Sequence, residues 1–402
     1  MPQSRREFLE SVVGVPALLS LSGAAPAFLA RAARAAAAED RRDTVLVVLQ
    51  LTGGNDGLNT VAPYADDAYA RKRRTLRLSG REVHRIDDYV GFHPRMKGFA
   101  RLLKEGRLSV VRGVGYPKSD RSHEQAMRDW HTARPGEPQC PTGWVGRAID
   151  SASRRDEARV PGIFVGPIAR PFALTARRAV VPSIRSAREL TLGADTGSGG
   201  ADANPLAKYL RHVHRGARAT SRQIQAILAD APGSGRYPPL RLAGHLKTVA
   251  ELIRADVGIR IFFAELGGGG IGGFDNHASQ RDNHAALLGQ LSDSVAAFAD
   301  DLARHKCLRR VVLMTFSEFG RTLTENGRRG TGHGAAAPVF LMGGRLRAGL
   351  IGKHPSLADL DQDALRFHTD FRRLYATVLD QWLGFDSRAV LGAKLKPLDF
   401  FT

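Results

Sequence analysis

The chain has 402 residues, 43% hydrophobic and 25% charged, with a formal net charge of +19 and two cysteines. That balance excludes a small disulfide scaffold, a collagen-like repeat and a wholly disordered chain, and the length buries a sufficient core without covalent staples. The positive charge is 49 Arg against 10 Lys spread along the whole sequence, a bias that reads as coding composition rather than a basic footprint, so no nucleic-acid partner is expected.

The N-terminus reads Ser4-Arg5-Arg6-Glu7-Phe8-Leu9, followed by an apolar run from Val12 to Ala30 interrupted by Gly14, Pro16, Gly23 and Pro26. The interruptions argue against a membrane span. Paired arginines ahead of a moderate apolar stretch resemble the twin-arginine export signal, and Arg31 and Arg34 after the run suit that route. Cleavage within Ala35–Ala38 makes residues 1–38 a signal peptide and 39–402 a single domain. Removing the signal lowers the formal charge to +17, because it carries four Arg and two Glu. The expected partner is the twin-arginine translocation machinery, the expected location is the periplasm or the exterior, and no span remains after cleavage. Cys140 and Cys307 then lie in a compartment that permits disulfides, yet they read as two unpaired thiols. The sequence has no Cys-x-x-Cys spacing, which argues against a thiolate metal site.

From Thr44 a continuous apolar, β-branched run predicts a strand buried on both faces, leaving through Thr52-Gly53-Gly54-Asn55-Asp56-Gly57. A basic helix is expected around Pro94–Glu105, then a strand over Leu108–Val114. Arg121-Ser122-His123-Glu124 opens a helix through Trp130, with Ser122 and Gln125 spaced as a capping box. Residues 191–204 and 231–239 read as exposed loops, and Leu206–Leu228 and Leu240–Ala255 as helices. Ile259–Leu266 predicts a strand that runs into Gly267–Gly273 and then Phe274-Asp275-Asn276-His277. From Asp282 a helix carries the stripe Leu287, Leu288, Leu291, Val295, Phe298 and Leu302. Arg310–Phe316 is a buried strand ending in Ser317-Glu318-Phe319-Gly320-Arg321. Pro338–Met342 is expected as the last strand, preceded by Gly330-Thr331-Gly332-His333-Gly334, and a helix over Thr369–Leu383 closes the chain. Strands alternating with helices predict an α/β fold, a three-layer α/β/α sandwich with a mostly parallel central sheet.

Four strand exits or approaches carry a potential ligand: Asp56, Asp275 with His277, Glu318, and His333. Open α/β sheets bind ligands at such ends. Carboxylates and imidazoles without thiolates suit a hard or borderline divalent cation such as Zn²⁺, Mn²⁺, Mg²⁺ or Ca²⁺. The segments 53–60, 121–123, 272–280, 317–322 and 330–334 together resemble the bacterial "domain of unknown function 1501" family, in order along nearly the whole mature chain. That family's fold is placed with the alkaline phosphatase and sulfatase superfamily.

The resemblance implies a metal site built from Asp56, Asp275, His277, Glu318 and His333. It also implies a nucleophile at Ser122, His123 as general acid or base, and Arg321 against a transferring phosphoryl or sulfuryl group. Three residues depart from the family pattern: Gly332 stands where the family usually has aspartate, Asn276 where it often has threonine, and Glu124 where it often has an aromatic residue. The expected activity is metal-dependent hydrolysis of an anionic phosphate or sulfate ester. The alternative is a non-catalytic exported binding or assembly module that keeps the fold.

Overall fold

Seven consecutive apolar or amide residues after Thr44 form strand β1 (Val45–Leu51), in which every residue is buried. The structure is a computed structural model that describes residues 44–402 apart from 154–161, 168, 180, 182, 185–234, 257 and 269–272. The export signal over 1–38, the loop 191–204 and the helix expected over Leu206–Leu228 lie outside the described residues.

β1 sits inside a nine-stranded sheet. Its other strands, in chain order, are β2 (Leu108–Gly115), β3 (Gly162–Val165), β4 (Ser183–Ile184), β5 (Ile261–Leu266), β6 (Val311–Phe316), β7 (Ala337–Gly343), β8 (Gly349–Ile351) and β9 (Thr369–Asp370). The spatial order is β8-β2-β7-β6-β1-β5-β3-β4, with β9 also pairing β2. β7 runs antiparallel to both β2 and β6, and every other pairing is parallel. This is the mostly parallel sheet that the alternation of strands and helices predicted.

Alternation along β1 assigns the two helical layers. Val45, Val47, Leu49 and Leu51 pack with helices α1 (Lys97–Lys104), α4 (Arg241–Arg254) and α5 (Gln280–Arg304). Leu46 and Val48 face the opposite side, with α2 (His123–Thr132), α3 (Trp144–Ser153) and α6 (Phe371–Thr377). Successive strand side chains point to opposite faces, so a strand covered by helices on both sides must be apolar throughout. The α5 stripe is buried as the periodicity required, from Leu287 through Leu302.

Two boundaries differ from the sequence reading. Pro338–Met342 is not the last strand, since β8 and β9 follow it. Thr369 and Asp370 pair with β2 instead of opening the final helix, and the Asp370 carboxylate caps α6 by accepting from the Arg372 N–H. An aspartate that satisfies a free helix N–H sits outside the helix, which sets the start at Phe371. Cys140 and Cys307 are both free thiols, as the sequence suggested.

The register of the three central strands positions the site. Gln50 of β1 aligns with Glu265 of β5 and with Phe316 of β6. The parallel exits after Leu51, Leu266 and Phe316 therefore open at one level on one edge of the sheet. Beyond β6 the chain makes a short antiparallel pair, Arg321–Glu325 with Thr331–His333, which sets Arg321 opposite His333.

The far end of α5 is tied down by a buried ion pair. Asp301 is 0% exposed and lies 2.7 Å from the Arg254 guanidinium of α4, and it also accepts from the Tyr237 hydroxyl at 3.0 Å. Asp301→Ala leaves Arg254 buried without its counter-charge, which costs about 3–5 kcal/mol. In urea unfolding the midpoint should fall accordingly with an unchanged slope; a loss below about 1 kcal/mol would show that the pair contributes little.

Candidate metal centre

His123 is the first residue of α2, Asp275 follows the turn after β5, and His333 ends the short strand before β7. One ligand atom from each of these three residues lies within 4.8 Å of the others. His123 Nε2 is 3.3 Å and His333 Nε2 3.2 Å from the Asp275 carboxylate. His277 adds a third imidazole, its Nε2 3.0 Å from Asp275 Oδ1 and 2.9 Å from His333 Nε2. Of the residues singled out in the sequence, the structure brings together His123, Asp275, His277 and His333.

The far nitrogens of two imidazoles are fixed by acceptors. His123 Nδ1 lies 2.9 Å from Glu318 Oε1, an oxygen that also accepts from the Gly53 N–H at 2.8 Å. His333 Nδ1 is 2.6 Å from the Arg121 carbonyl, which can only accept. Both imidazoles therefore carry their proton on Nδ1 and turn the Nε2 lone pair toward Asp275, the orientation that histidine ligands take when an outer partner holds the other nitrogen. His123 Nε2 is buried and has no hydrogen-bond partner. Lone pairs facing a carboxylate require a cation between them, a proton or a metal ion. Two imidazoles and a carboxylate form a donor set suited to a borderline divalent ion, so the residues fit the group that the sequence reading called for.

The electrostatics follow from the partners. The hydrogen bond to Glu318 raises the His123 pKa above its usual value despite burial. Burial lowers that of His333. Burial pushes the Asp275 carboxyl upward, but the hydrogen bond and charge of Arg321, helped by His277 and His123, hold it below the usual range. The side chains of His123, Asp275 and His277 are 39%, 41% and 38% exposed, so a ligand from solvent can reach them.

Arg321, expected to face substrate, is instead buried and spends its donors inside the protein. Its guanidinium bonds the carbonyls of Gly53 and Gly54, that of Phe274 at 3.0 Å and Asp275 Oδ1 at 2.6 Å. The two glycines permit this approach. A Cβ on Gly53 would meet the backbone of Asp275 at 2.5 Å and one on Gly54 the Phe319 ring at 2.2 Å, and both residues have positive φ. Arg321 therefore acts on the site as a positioning residue through Asp275.

Three further sequence-marked residues lie elsewhere. Asp56 is buried at 2% exposure against Arg73 and Gln280 rather than within the histidine group. Burial raises its pKa, but the charge and hydrogen bond of Arg73 win and keep it ionised. Glu318, at 2% exposure, meets His123 from behind and does not share in the three-residue cluster. Ser122 is exposed, and its hydroxyl caps α2 by accepting from the Gln125 N–H at 3.4 Å, but the other half of the expected capping box is not formed, because the Ser122 N–H donates to Asp120 and the Gln125 amide to Asp129. Gly332 sits against Thr322, where a Cβ would come within 3.2 Å of Thr322 Cγ2.

Sequence reading overlooked a second polar layer just below the exits. Glu265 is 7% exposed and its Oε2 has no hydrogen-bond partner, while the neighbouring Gln50 accepts from His131 Nε2 at 2.7 Å. A single acid within an apolar strand run was the available signal. Burial, with the Glu318 charge adding, pushes the Glu265 pKa from 4.5 up to about 7. A carboxyl with a raised folded-state pKa takes stability away as pH climbs from about 4.5, where the unfolded chain ionises, to about 7, where the folded chain does too. Glu265→Gln removes that ionisation. Relative to the unmodified chain, its stability should rise through this window and be greater by on the order of 3 kcal/mol at pH 8; a difference that does not change with pH would refute the assignment.

Among families, the model described as "Protein of unknown function (DUF1501)" matches residues 246–396. This stretch holds Asp275, His277, Glu318, Arg321 and His333 and stops short of Asp56, Ser122 and His123. No curated protein sequence matches the chain. Among solved structures, the chain is similar to the C-terminal periplasmic domain of EcEptC from Escherichia coli, with 12% identity, a TM-score of 0.41, and coverage of 90% of this chain and 89% of that one. It is also similar to a protein in the alkaline phosphatase superfamily from Vibrio parahaemolyticus, with 10% identity, a TM-score of 0.35 and coverage of 82% and 71%. A third is the alkaline phosphatase from the Antarctic bacterium TAB5, with 12% identity, a TM-score of 0.34 and coverage of 75% and 92%.

Proposed function

We propose that the chain is an exported, metal-dependent hydrolase of phosphate or sulfate esters, with a divalent ion held by His123, Asp275 and His333. The observation that carries this reading is the convergence of these three ligand atoms within 4.8 Å, with both imidazoles held at Nδ1 by acceptors outside the group. A divalent ion bound there supplies Lewis-acid polarisation of an ester oxygen and lowers the pKa of a bound water.

The protein's own groups divide the remaining work. Glu318 orients His123, and Arg321 holds Asp275 at the mouth of the sheet edge. His277 turns its Nε2 to both Asp275 and His333, where it can only donate, and its side chain is 38% exposed, so we assign it the proton-carrying role first expected of His123. Ser122, at the exposed start of α2, remains the proposed nucleophile. Export rests on Arg5-Arg6 and the apolar run behind them; among the described residues no helix is long and apolar enough to cross a membrane.

A non-catalytic metal-binding module is the second reading. It is favoured by the ion pair that Arg321 makes with Asp275 at 2.6 Å and by the capping bond of Ser122.

Metal analysis of the purified protein tests the centre directly. The unmodified chain should retain a divalent metal through gel filtration, whereas Asp275→Asn and His333→Ala should each lose most of it. Asp56→Asn should keep the metal but lower stability by about 3–5 kcal/mol, because it leaves Arg73 buried without its counter-charge. Equal metal content in all four proteins would overturn the assignment.

Activity on p-nitrophenyl phosphate and p-nitrophenyl sulfate separates the two readings. Ser122→Ala should cost only about 1 kcal/mol of stability as a lost helix cap, yet reduce kcat by two orders of magnitude or more if the hydroxyl is the nucleophile. A metal-loaded protein inert toward both esters would select the binding module.

A further inference from the structure

The turn after α2 and the first turns of α3 line a solvent-open cavity of about 890 Å³. It stands apart from the metal centre: His123 opens α2 and Arg134 lies beyond its end, which at 1.5 Å per residue puts roughly 16 Å between them. Its wall carries four arginines, Arg134, Arg147, Arg177 and Arg178, against two carboxylates, Glu137 and Asp150.

Both carboxylates are already engaged. Glu137 pairs with Arg134 at 3.1 Å. Asp150 accepts three successive backbone N–H groups, from Arg177 at 2.7 Å, Arg178 at 3.2 Å and Ala179 at 2.9 Å.

The cationic side is not balanced in this way. Arg147 directs its guanidinium at the carbonyls of Val390, Thr132 and Thr142, and no carboxylate among the described residues pairs with it. Burial, with the Arg134 charge adding, pushes its pKa down to about 10, so it stays charged at neutral pH. The side chains of Arg177 and Arg178 are exposed and form no ion pair among the described residues. Arg177 and Arg178 thus put two guanidinium charges without an ion pair among the described residues on one cavity, beside an Arg147 whose nitrogens are already bonded to protein carbonyls, with Pro138, Pro141 and Ala389 supplying apolar wall.

We infer that this cavity is an anion-binding site for a phosphate or sulfate group carried on a larger body of sugar size. Guanidinium forks match the oxygens of a tetrahedral anion in paired hydrogen bonds. The volume far exceeds that of a bare ion and falls within the range of small-molecule sites, and the apolar wall suits a carbon skeleton. The site does not depend on the proposed hydrolase activity, because none of its residues belongs to the metal group.

Isothermal titration of the full chain carrying His123→Ala and His333→Ala tests the proposal with the metal centre disabled. Glucose 6-phosphate should bind saturably and more tightly than inorganic phosphate, and glucose should not bind. Adding Arg177→Ala and Arg178→Ala should weaken glucose 6-phosphate by at least about tenfold. Thermal unfolding should be unchanged, because Asp150 uses only the backbone of these positions. Arg178→Glu, a single exposed charge reversal, should weaken binding as well. Absence of saturable binding at millimolar ligand, or affinity indifferent to these arginines, would overturn the site; equal affinity for free phosphate and glucose 6-phosphate would overturn the larger ligand body.

Discussion

A guanidinium taken out of water is tolerable only when nearly all its donors find acceptors, and Arg321 finds them in three chain segments at once. It bonds the carbonyls of Gly53 and Gly54 after β1, and the carbonyl of Phe274 and the carboxylate of Asp275 after β5. A longer bond of 3.3 Å reaches Thr331 in the strand that delivers His333. Removing any of these acceptors would leave a buried charge short of partners, so each segment is held by the cost of releasing the others. The spacing of Asp275 and His333 follows from this clamp. Glu318 completes it from the β6 side by accepting the Gly53 N–H and turning His123 inward.

The buried acids and the exposed acid of this edge do different work. Asp56 at 2% exposure and Asp301 at 0% each neutralise an arginine inside the protein. Such carboxylates are committed, since moving either charge onto a ligand would strand its partner. Asp275 keeps one oxygen on Arg321 and has 41% of its side chain exposed, with three imidazoles around it. Of the acids at the sheet edge among the described residues, it alone combines a fixed orientation with access from solvent and nitrogen donors.

Much of this arrangement was legible before any coordinates. The unbroken apolar run of β1 can be satisfied only between two helical layers, and the α5 stripe shows which helical face one layer uses. The glycine-flanked exits lie on the edge where His123, Asp275, His277 and His333 come together. What periodicity and spacing cannot show is which exit residues share a partner. Asp56 and Asp275 look alike in sequence, each an acid just past a strand. They part company because Arg73, 17 positions after Asp56, folds back onto it, whereas Asp275 meets an arginine 46 positions away and histidines from α2 and from the antiparallel pair after β6. Helix boundaries were lost for a related reason: Asp370 reads as the first turn of a helix until β2 pairs with it.

Gly332 illustrates how placement changes the meaning of a substitution. Read along the chain, a glycine in place of an aspartate beside His333 suggests a ligand lost from the metal group. In the strand Thr331–His333 neighbouring side chains point to opposite faces. His333 faces Asp275, and a Cβ at position 332 faces Thr322. A carboxylate there would lie behind the metal group. The task open to such an acid, fixing the His333 tautomer, is already performed by the Arg121 carbonyl at 2.6 Å. The Gly332 N–H, for its part, donates to the Thr322 hydroxyl at 2.9 Å and keeps the strand in register. Glycine at position 332 therefore leaves the three proposed ligands and their orienting partners in place.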